Sequence, residues 1–262
     1  PVDEKGFVDV EALADLIRPD TTLVSVMAVN NEIGSIQPIQ TISQLLADKP
    51  TISFHVDAVQ ALAKIPTEEY LTDRVDFATF SSHKFHGVRG VGFVYIKSGK
   101  RIMPLLTGGG QEGDYRSTTE NVAGIAATAK ALRLSMEKLA IFASKTSQMK
   151  EVIRQALLDY PDIFVFSDEE DFSSHILTFG IKGVRGEVIV HAFEDYDIFI
   201  STTSACSSKA GKPAGTLIAM GVDKDKAQSA VRLSLDLEND MSQVEQFLTK
   251  LKLIYNQTRK VR

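Results

Sequence analysis

The chain of 262 residues holds a single cysteine, Cys206. A lone thiol closes no internal disulfide, so the core must hold the fold together, and a reducing compartment, the cytoplasm, is expected. No apolar run approaches the ~18 residues of a membrane-spanning helix, which predicts no membrane partner. The opening residues, Pro1-Val2-Asp3-Glu4-Lys5, are polar and carry no signal-peptide pattern. Charge of one sign is not in excess either. Twenty-nine Lys and Arg stand against 34 Asp and Glu, a net charge of −5, and this gives no general attraction to nucleic acid or anionic lipid. The short basic end Arg259-Lys260-Val261-Arg262 reads as a solvated terminus. Internal repeats and low-complexity segments are absent, as are the glycine spacings of a Walker loop or a dinucleotide fingerprint.

What is present is an alternation of apolar strands and helical patterns. Leu23–Val29 reads as a buried strand followed by the turn Asn30-Asn31-Glu32-Ile33-Gly34, and Ile39–Ala47 as a helix with Ile39, Ile42, Leu45 and Leu46 on one face. Further strands are predicted over Ile52–Val56, Phe77–Phe80 and Val91–Ile96. Strands separated by helices predict an α/β layer on a largely parallel or mixed sheet, in which ligands sit beyond the carboxyl ends of the strands. Long helices are predicted over Val122–Leu139 and Lys145–Tyr160, then strands over Ile163–Phe166, His175–Ile181 and Val231–Leu235, with helices at Glu187–Glu194 and Gln243–Tyr255. This divides the chain into a large-domain portion, residues 1–135, and a small α+β domain, residues 136–262.

Polar clusters fall at the predicted strand ends. Asp57 follows an apolar strand; it reads either as a helix cap or as a carboxylate fixed at the sheet edge to pair with a cationic ring nitrogen. Ser81-Ser82-His83-Lys84 follows another strand, with glycines at 87, 90 and 92. A lone lysine is ordinarily a solvated surface residue, but hydroxyls beside it suit a phosphate while the amine condenses with an aldehyde. Thr107-Gly108-Gly109-Gly110-Gln111-Glu112 serves equally a plain turn or a close approach to a ligand, and Arg116-Ser117-Thr118-Thr119 suits an anion. Cys206 lies among Ser, Thr, Gly and Lys residues ending in Pro213. A lone cysteine is often a small buried hydrophobe; this setting predicts an exposed loop over Thr203–Pro213 whose lysines favour a thiolate.

In order, Val29-Asn30-Asn31-Glu32-Ile33-Gly34, His55-Val56-Asp57-Ala58-Val59-Gln60, Ser81-Ser82-His83-Lys84, Gly108-Gly109-Gly110-Gln111-Glu112, Arg116-Ser117-Thr118-Thr119 and Ser204-Ala205-Cys206-Ser207 resemble the class V aminotransferase family. The likeness is to its cysteine desulfurases of the nitrogen-fixation and iron–sulfur assembly type. It implies the aspartate aminotransferase-like fold type I of pyridoxal-phosphate (PLP) enzymes. It also implies that L-cysteine is converted to L-alanine, with the sulfur held as a persulfide on Cys206 for a sulfur-acceptor or scaffold protein. In that pattern Lys84 anchors PLP, Asp57 pairs with its ring nitrogen, and Gln60 and Asn31 contact its phenolic oxygen. Ser81 and His83 bind its phosphate, and Thr119 reaches the phosphate site of a second subunit, which implies a homodimer. Arg232, with Asn31, receives the substrate, the planar guanidinium gripping the carboxylate bidentately. No metal is implied.

Asp236 stands where the family commonly shows glycine. Family members carry an upstream segment that supplies a ring-stacking histidine and a phosphate-binding threonine. The expectation is therefore a fragment or processed chain that holds PLP weakly or not at all. The competing readings are another class V aminotransferase, a selenocysteine lyase, and a non-catalytic fragment of such an enzyme; Cys206 on a loop favours desulfuration, because transamination needs no thiol.

Overall fold

The computed structural model describes residues 1–167, 171–203 and 215–260. In chain order the helices are α1 (Val10–Leu16), α2 (Ile39–Leu45), α3 (Val122–Glu137), α4 (Leu139–Leu158), α5 (Gly186–Glu194), α6 (Gly215–Ala219), α7 (Lys224–Gln228) and α8 (Met241–Lys260). The strands are β1 (Leu23–Met27), β2 (Ser53–Asp57), β3 (Phe77–Ser81), β4 (Gly92–Ile96), β5 (Ile163–Val165), β6 (Ile176–Ile181), β7 (Ser201–Thr202) and β8 (Ala230–Ser234). Contacts divide the chain into two compact units. One gathers Pro1–Ile17, Val29–Pro38 and Ala140–Arg262, and the other Arg18–Ala28 with Ile39–Leu139.

The second of these units is built on a sheet of order β1-β2-β3-β4. The first three strands are parallel and β4 returns antiparallel to β3, so the sheet is mixed. Side chains alternate between the faces of each strand, and Val24, Phe54, Val56, Ala78 and Phe80 form the buried row. The opposite row is more open, with Leu23 54%, Met27 37% and Val94 42% exposed. On α2 the spacing of Ile39 and Ile42 places both on the buried side. Below the sheet, at the start of β2 and β3, the Arg74 guanidinium donates to the carbonyls of Leu46, Lys49 and Ile52 and to the carboxylate of Asp76. Asp76 is almost wholly buried and also accepts from Phe54 N, 3.0 Å away, with Lys100 Nζ at 3.2 Å. Burial alone pushes its carboxyl up; these donors outweigh burial and hold it below the ordinary carboxylate range.

The other unit carries an antiparallel sheet of order β5-β6-β8-β7. All six residues of β6 are buried, because both of its faces are covered. Leu177, Phe179 and Ile181 share a core with Met149, Ile153 and Leu157 of α4, Phe193 of α5 and Phe247 of α8. The α4 residues recur every fourth position and so form one helical stripe. Phe193 and Phe247 stack with centroids 4.9 Å apart at 8°, a contact worth about 1 kcal/mol beyond the area it buries. A smaller cluster, Ile33, Phe172, Leu217, Met220, Ala227 and Ala230, completes the unit.

Candidate active site

Because β1, β2 and β3 run parallel, their last residues Met27, Asp57 and Ser81 lie along one edge of the sheet. The register pairs Met27 with Asp57, and Asp57 with Thr79. Asp57 is exposed, and its carboxylate accepts from Val59 N at 3.0 Å, which turns the chain sharply toward half-buried Gln60. From Ser81 the chain enters a 3-10 turn, Ser82–Phe85. Two pegs fix this turn: Ser82 is wholly buried and its hydroxyl meets Thr128 Oγ1 of α3 at 2.8 Å, while Phe85 is buried and its carbonyl accepts from Ser135 Oγ at 3.1 Å. Between the pegs, His83 is exposed and Lys84 half-buried. The turn closes tightly. His86 sits at φ 65°, and a Cβ on Gly87 would fall 1.9 Å from Ser82 Oγ, so only glycine fits there. Asp57 and Lys84 thus reach the same edge from neighbouring parallel strands.

One row inward from Asp57, on the same face, lies His55. Its Nδ1 is 2.7 Å from Ser25 Oγ on β1 and its Nε2 is 3.1 Å from Thr79 Oγ1 on β3. A neutral ring has one donor and one acceptor, so one hydroxyl must donate to it and the other accept. Burial pushes the His55 pKa down, against the pull of the Asp57 charge.

In the other unit, the turn Asn30–Gly34 is gripped by side chains from distant strands. Arg232 of β8 donates from a terminal guanidinium nitrogen to the Asn31 carbonyl at 2.7 Å. Thr178 of β6 donates to the Glu32 carbonyl at 2.5 Å, and Ser167 to the Ile33 carbonyl at 2.6 Å. Buried Asn30 folds its own amide oxygen back onto the N–H groups of Glu32 and Ile33. The Asn30 amide nitrogen and the Glu32 carboxylate both reach Thr216 at the start of α6, at 3.3 and 3.2 Å. Asn31 and Arg232, the two candidate substrate contacts, are therefore brought together through a backbone carbonyl.

Thr119 is exposed in the segment that leads into α3, whose N-cap is Asn121. Cys206 and the predicted loop around it fall outside the described residues, apart from Thr203 at its start, which is buried. Among the described residues no group of acidic, histidine or cysteine side chains could hold a metal ion, and no helix is long and apolar enough to cross a membrane. Sequence reasoning gave no role to His55, Thr178 or Ser167. His55 carried one readable signal, its position two residues before Asp57 and hence on the same face of the strand.

The family model of class-V aminotransferases matches residues 1–247. A "NifS/IcsS protein homolog" of Lactobacillus delbrueckii subsp. bulgaricus is 50% identical over 262 residues, all of this chain and 68% of the relative. A "Cysteine desulfurase IscS" of Clostridium botulinum is 38% identical over 266 residues, spanning all of this chain and 66% of the relative. A solved NifS-like protein superposes with a TM-score of 0.89 at 37% identity, covering 98% of this chain and 67% of its own. The NifS-like protein of Rickettsia africae gives a TM-score of 0.87 at 29% identity, covering 97% and 68%. The chain thus spans about two thirds of the length of its relatives. The chain belongs to the class-V aminotransferase family, whose enzymes depend on pyridoxal phosphate.

Proposed function

We propose that this chain supplies the cofactor anchor, the substrate grip and the sulfur-accepting thiol of a cysteine desulfurase that converts L-cysteine to L-alanine. The observation that carries the reading is the arrival of Asp57 and Lys84 at one sheet edge from adjacent parallel strands. The donor set suits PLP: a carboxylate for a ring cation, an amine on a rigid turn for an aldehyde, and Ser81 and His83 beside it for a phosphate. When bound, PLP supplies an electron sink for bonds at the substrate's α-carbon.

The chain's own residues do the rest. Lys84 would hold the cofactor through its amine and would move a proton at that nitrogen. Asp57 would keep a negative charge at the ring nitrogen, while Asn31 and Gln60 would contact the ring's phenolic oxygen. Arg232 binds the substrate carboxylate with two parallel N–H donors, a geometry that lysine cannot reproduce. The Cys206 thiolate attacks the substrate sulfur, its S–S bond forming as the substrate Cβ–S bond breaks and the electron pair staying with the carbon that is protonated to alanine; the persulfide then passes its outer sulfur to an acceptor protein. Thr119 completes the phosphate site of a second copy, so the working unit is a homodimer. Supporting the desulfurase assignment, relatives at 34–38% identity carry that name.

The test is Cys206→Ala in the natural full-length protein. Alanine and sulfide formation from cysteine should fall to background, while the spectral change on adding cysteine persists because Lys84, Asp57 and Arg232 are untouched. Undiminished turnover would remove the nucleophile assignment.

A further inference from the structure

We infer that Thr178 is a positioning residue for the substrate grip, setting the orientation of Arg232 through the Asn30–Gly34 turn. The inference rests on the proposed role of Arg232. Thr178 and Arg232 are direct cross-strand partners on β6 and β8 and so project from the same face of the sheet. They reach consecutive carbonyls of one turn, Thr178 that of Glu32 and Arg232 that of Asn31. Ser167 takes the next carbonyl, Ile33, and its oxygen also accepts the Thr178 N–H at 2.9 Å. Three successive carbonyls are thus held by three side chains, one of which is tied to the backbone of another.

Thr178 is wholly buried, and its hydroxyl is the side-chain donor that meets the carbonyl of half-buried Glu32. Removing the hydroxyl leaves that carbonyl short of a donor, and the turn must shift to recover one. The Asn31 carbonyl lies in the adjoining peptide plane, hinged at the Glu32 Cα, and the Asn30 amide oxygen ties the N–H groups of Glu32 and Ile33 together across that hinge, so it moves too. The guanidinium that it anchors follows. A carboxylate grip tolerates little of this, because two parallel hydrogen bonds fix both distance and angle. The second contact of the substrate, Asn31, sits on the same turn and shifts with it. Thr178 therefore acts without touching substrate, and its loss should weaken binding of the carboxylate more than it slows the later steps.

The experiment uses the natural full-length protein loaded with PLP and measures alanine formation from L-cysteine. Thr178→Val keeps the shape and deletes the hydroxyl; Thr178→Ser keeps the hydroxyl. The expected result for Thr178→Val is a KM raised about tenfold, the scale of one lost buried hydrogen bond, with kcat within about twofold of wild type. Thr178→Ser should return KM to within about twofold of wild type. Affinity for L-alanine should fall with the valine variant, while affinity for cysteamine, which lacks the carboxylate, should not. Equal KM values for wild type and Thr178→Val would overturn the inference, as would a loss of cysteamine and alanine binding alike. If Thr178→Val does not fold, Ser167→Ala loosens the same turn from its far end and must reproduce the selective loss of alanine affinity, or the inference falls. Arg232→Gln separates the two levels. If it leaves KM unchanged, the grip itself is misassigned; if it raises KM while Thr178→Val does not, only the positioning role is lost.

Discussion

At the scale of single residues, the candidate chemistry depends on a carboxylate and an amine delivered by strand ends. Asp57→Asn keeps the shape and removes the charge, so the pairing with a ring cation becomes an ordinary hydrogen bond. PLP affinity should fall about ten- to hundredfold, since a charge-assisted bond is worth roughly 1.5–3 kcal/mol; equilibrium dialysis of the full-length variant measures it. Lys84→Ala should abolish covalent retention of the cofactor. Borohydride treatment followed by mass spectrometry should find the added pyridoxyl phosphate on wild type and none on the variant. The strand-end positions of both residues were legible in the sequence, because an apolar strand that ends in a polar residue announces its own carboxyl edge; their proposed roles came from the family resemblance. Thr178 and Ser167 were not legible. They meet their carbonyls across 146 and 134 residues of chain, and a threonine within an apolar strand looks like any other β-branched residue.

At the scale of elements, the 3-10 turn that carries Lys84 is defined by what it excludes. Gly87→Ala would drive a Cβ into Ser82 Oγ and toward the Ser82 carbonyl, 2.9 Å away. The turn must open, at a cost of about 1–3 kcal/mol in urea unfolding. PLP retention should decline with it, because the same turn orients Lys84. The strands were readable within about two residues from hydrophobic period alone, and the long helices were located but not bounded, α8 running on to Lys260 beyond the expected Tyr255. The direction of β4 was not readable, since an alternating pattern reads the same in parallel and antiparallel pairing. The start of α4 was expected at Lys145 but lies at Leu139; its first turn, Leu139-Ala140-Ile141-Phe142, is apolar enough to resemble a connecting core segment. The short elements α1, α6, α7 and β7 passed unseen, being too brief for any period to register.

At the scale of the molecule, half-buried His55 and buried Asp76 tie stability to acid. The His55 pKa is depressed below its usual 6.5 and that of Asp76 below 3.8. In each case the unfolded chain binds the proton more readily. Their contributions are therefore full above those ordinary values and are lost as pH falls through the lower folded ones. Urea midpoints should decline first below about pH 6.5 and again below about pH 3.8; His55→Gln should remove the upper step and leave the lower. Asp76 lies at the opposite end of the sheet from Asp57, so Arg74→Met should lower stability by about 3 kcal/mol, the scale of a broken buried pair.

The path of the chain between its two units has a further consequence, for the order of assembly during synthesis. Residues 18–28 and 39–139 form one unit, and every residue of it has been translated before Ala140 is added. That unit can fold early, through strand pairings between near neighbours in sequence. The turn at residues 30–34 must wait for Ser167, Thr178, Thr216 and Arg232, the last of these 201 residues downstream of Asn31. Contacts of such separation form slowly, because the chain entropy of closing the loop is lost before any bond repays it. Pulse-labelled hydrogen exchange during refolding should therefore protect β2 and β3 first and the Asn30–Gly34 amides last, so the proposed substrate grip would be the last part of the protein to come into being.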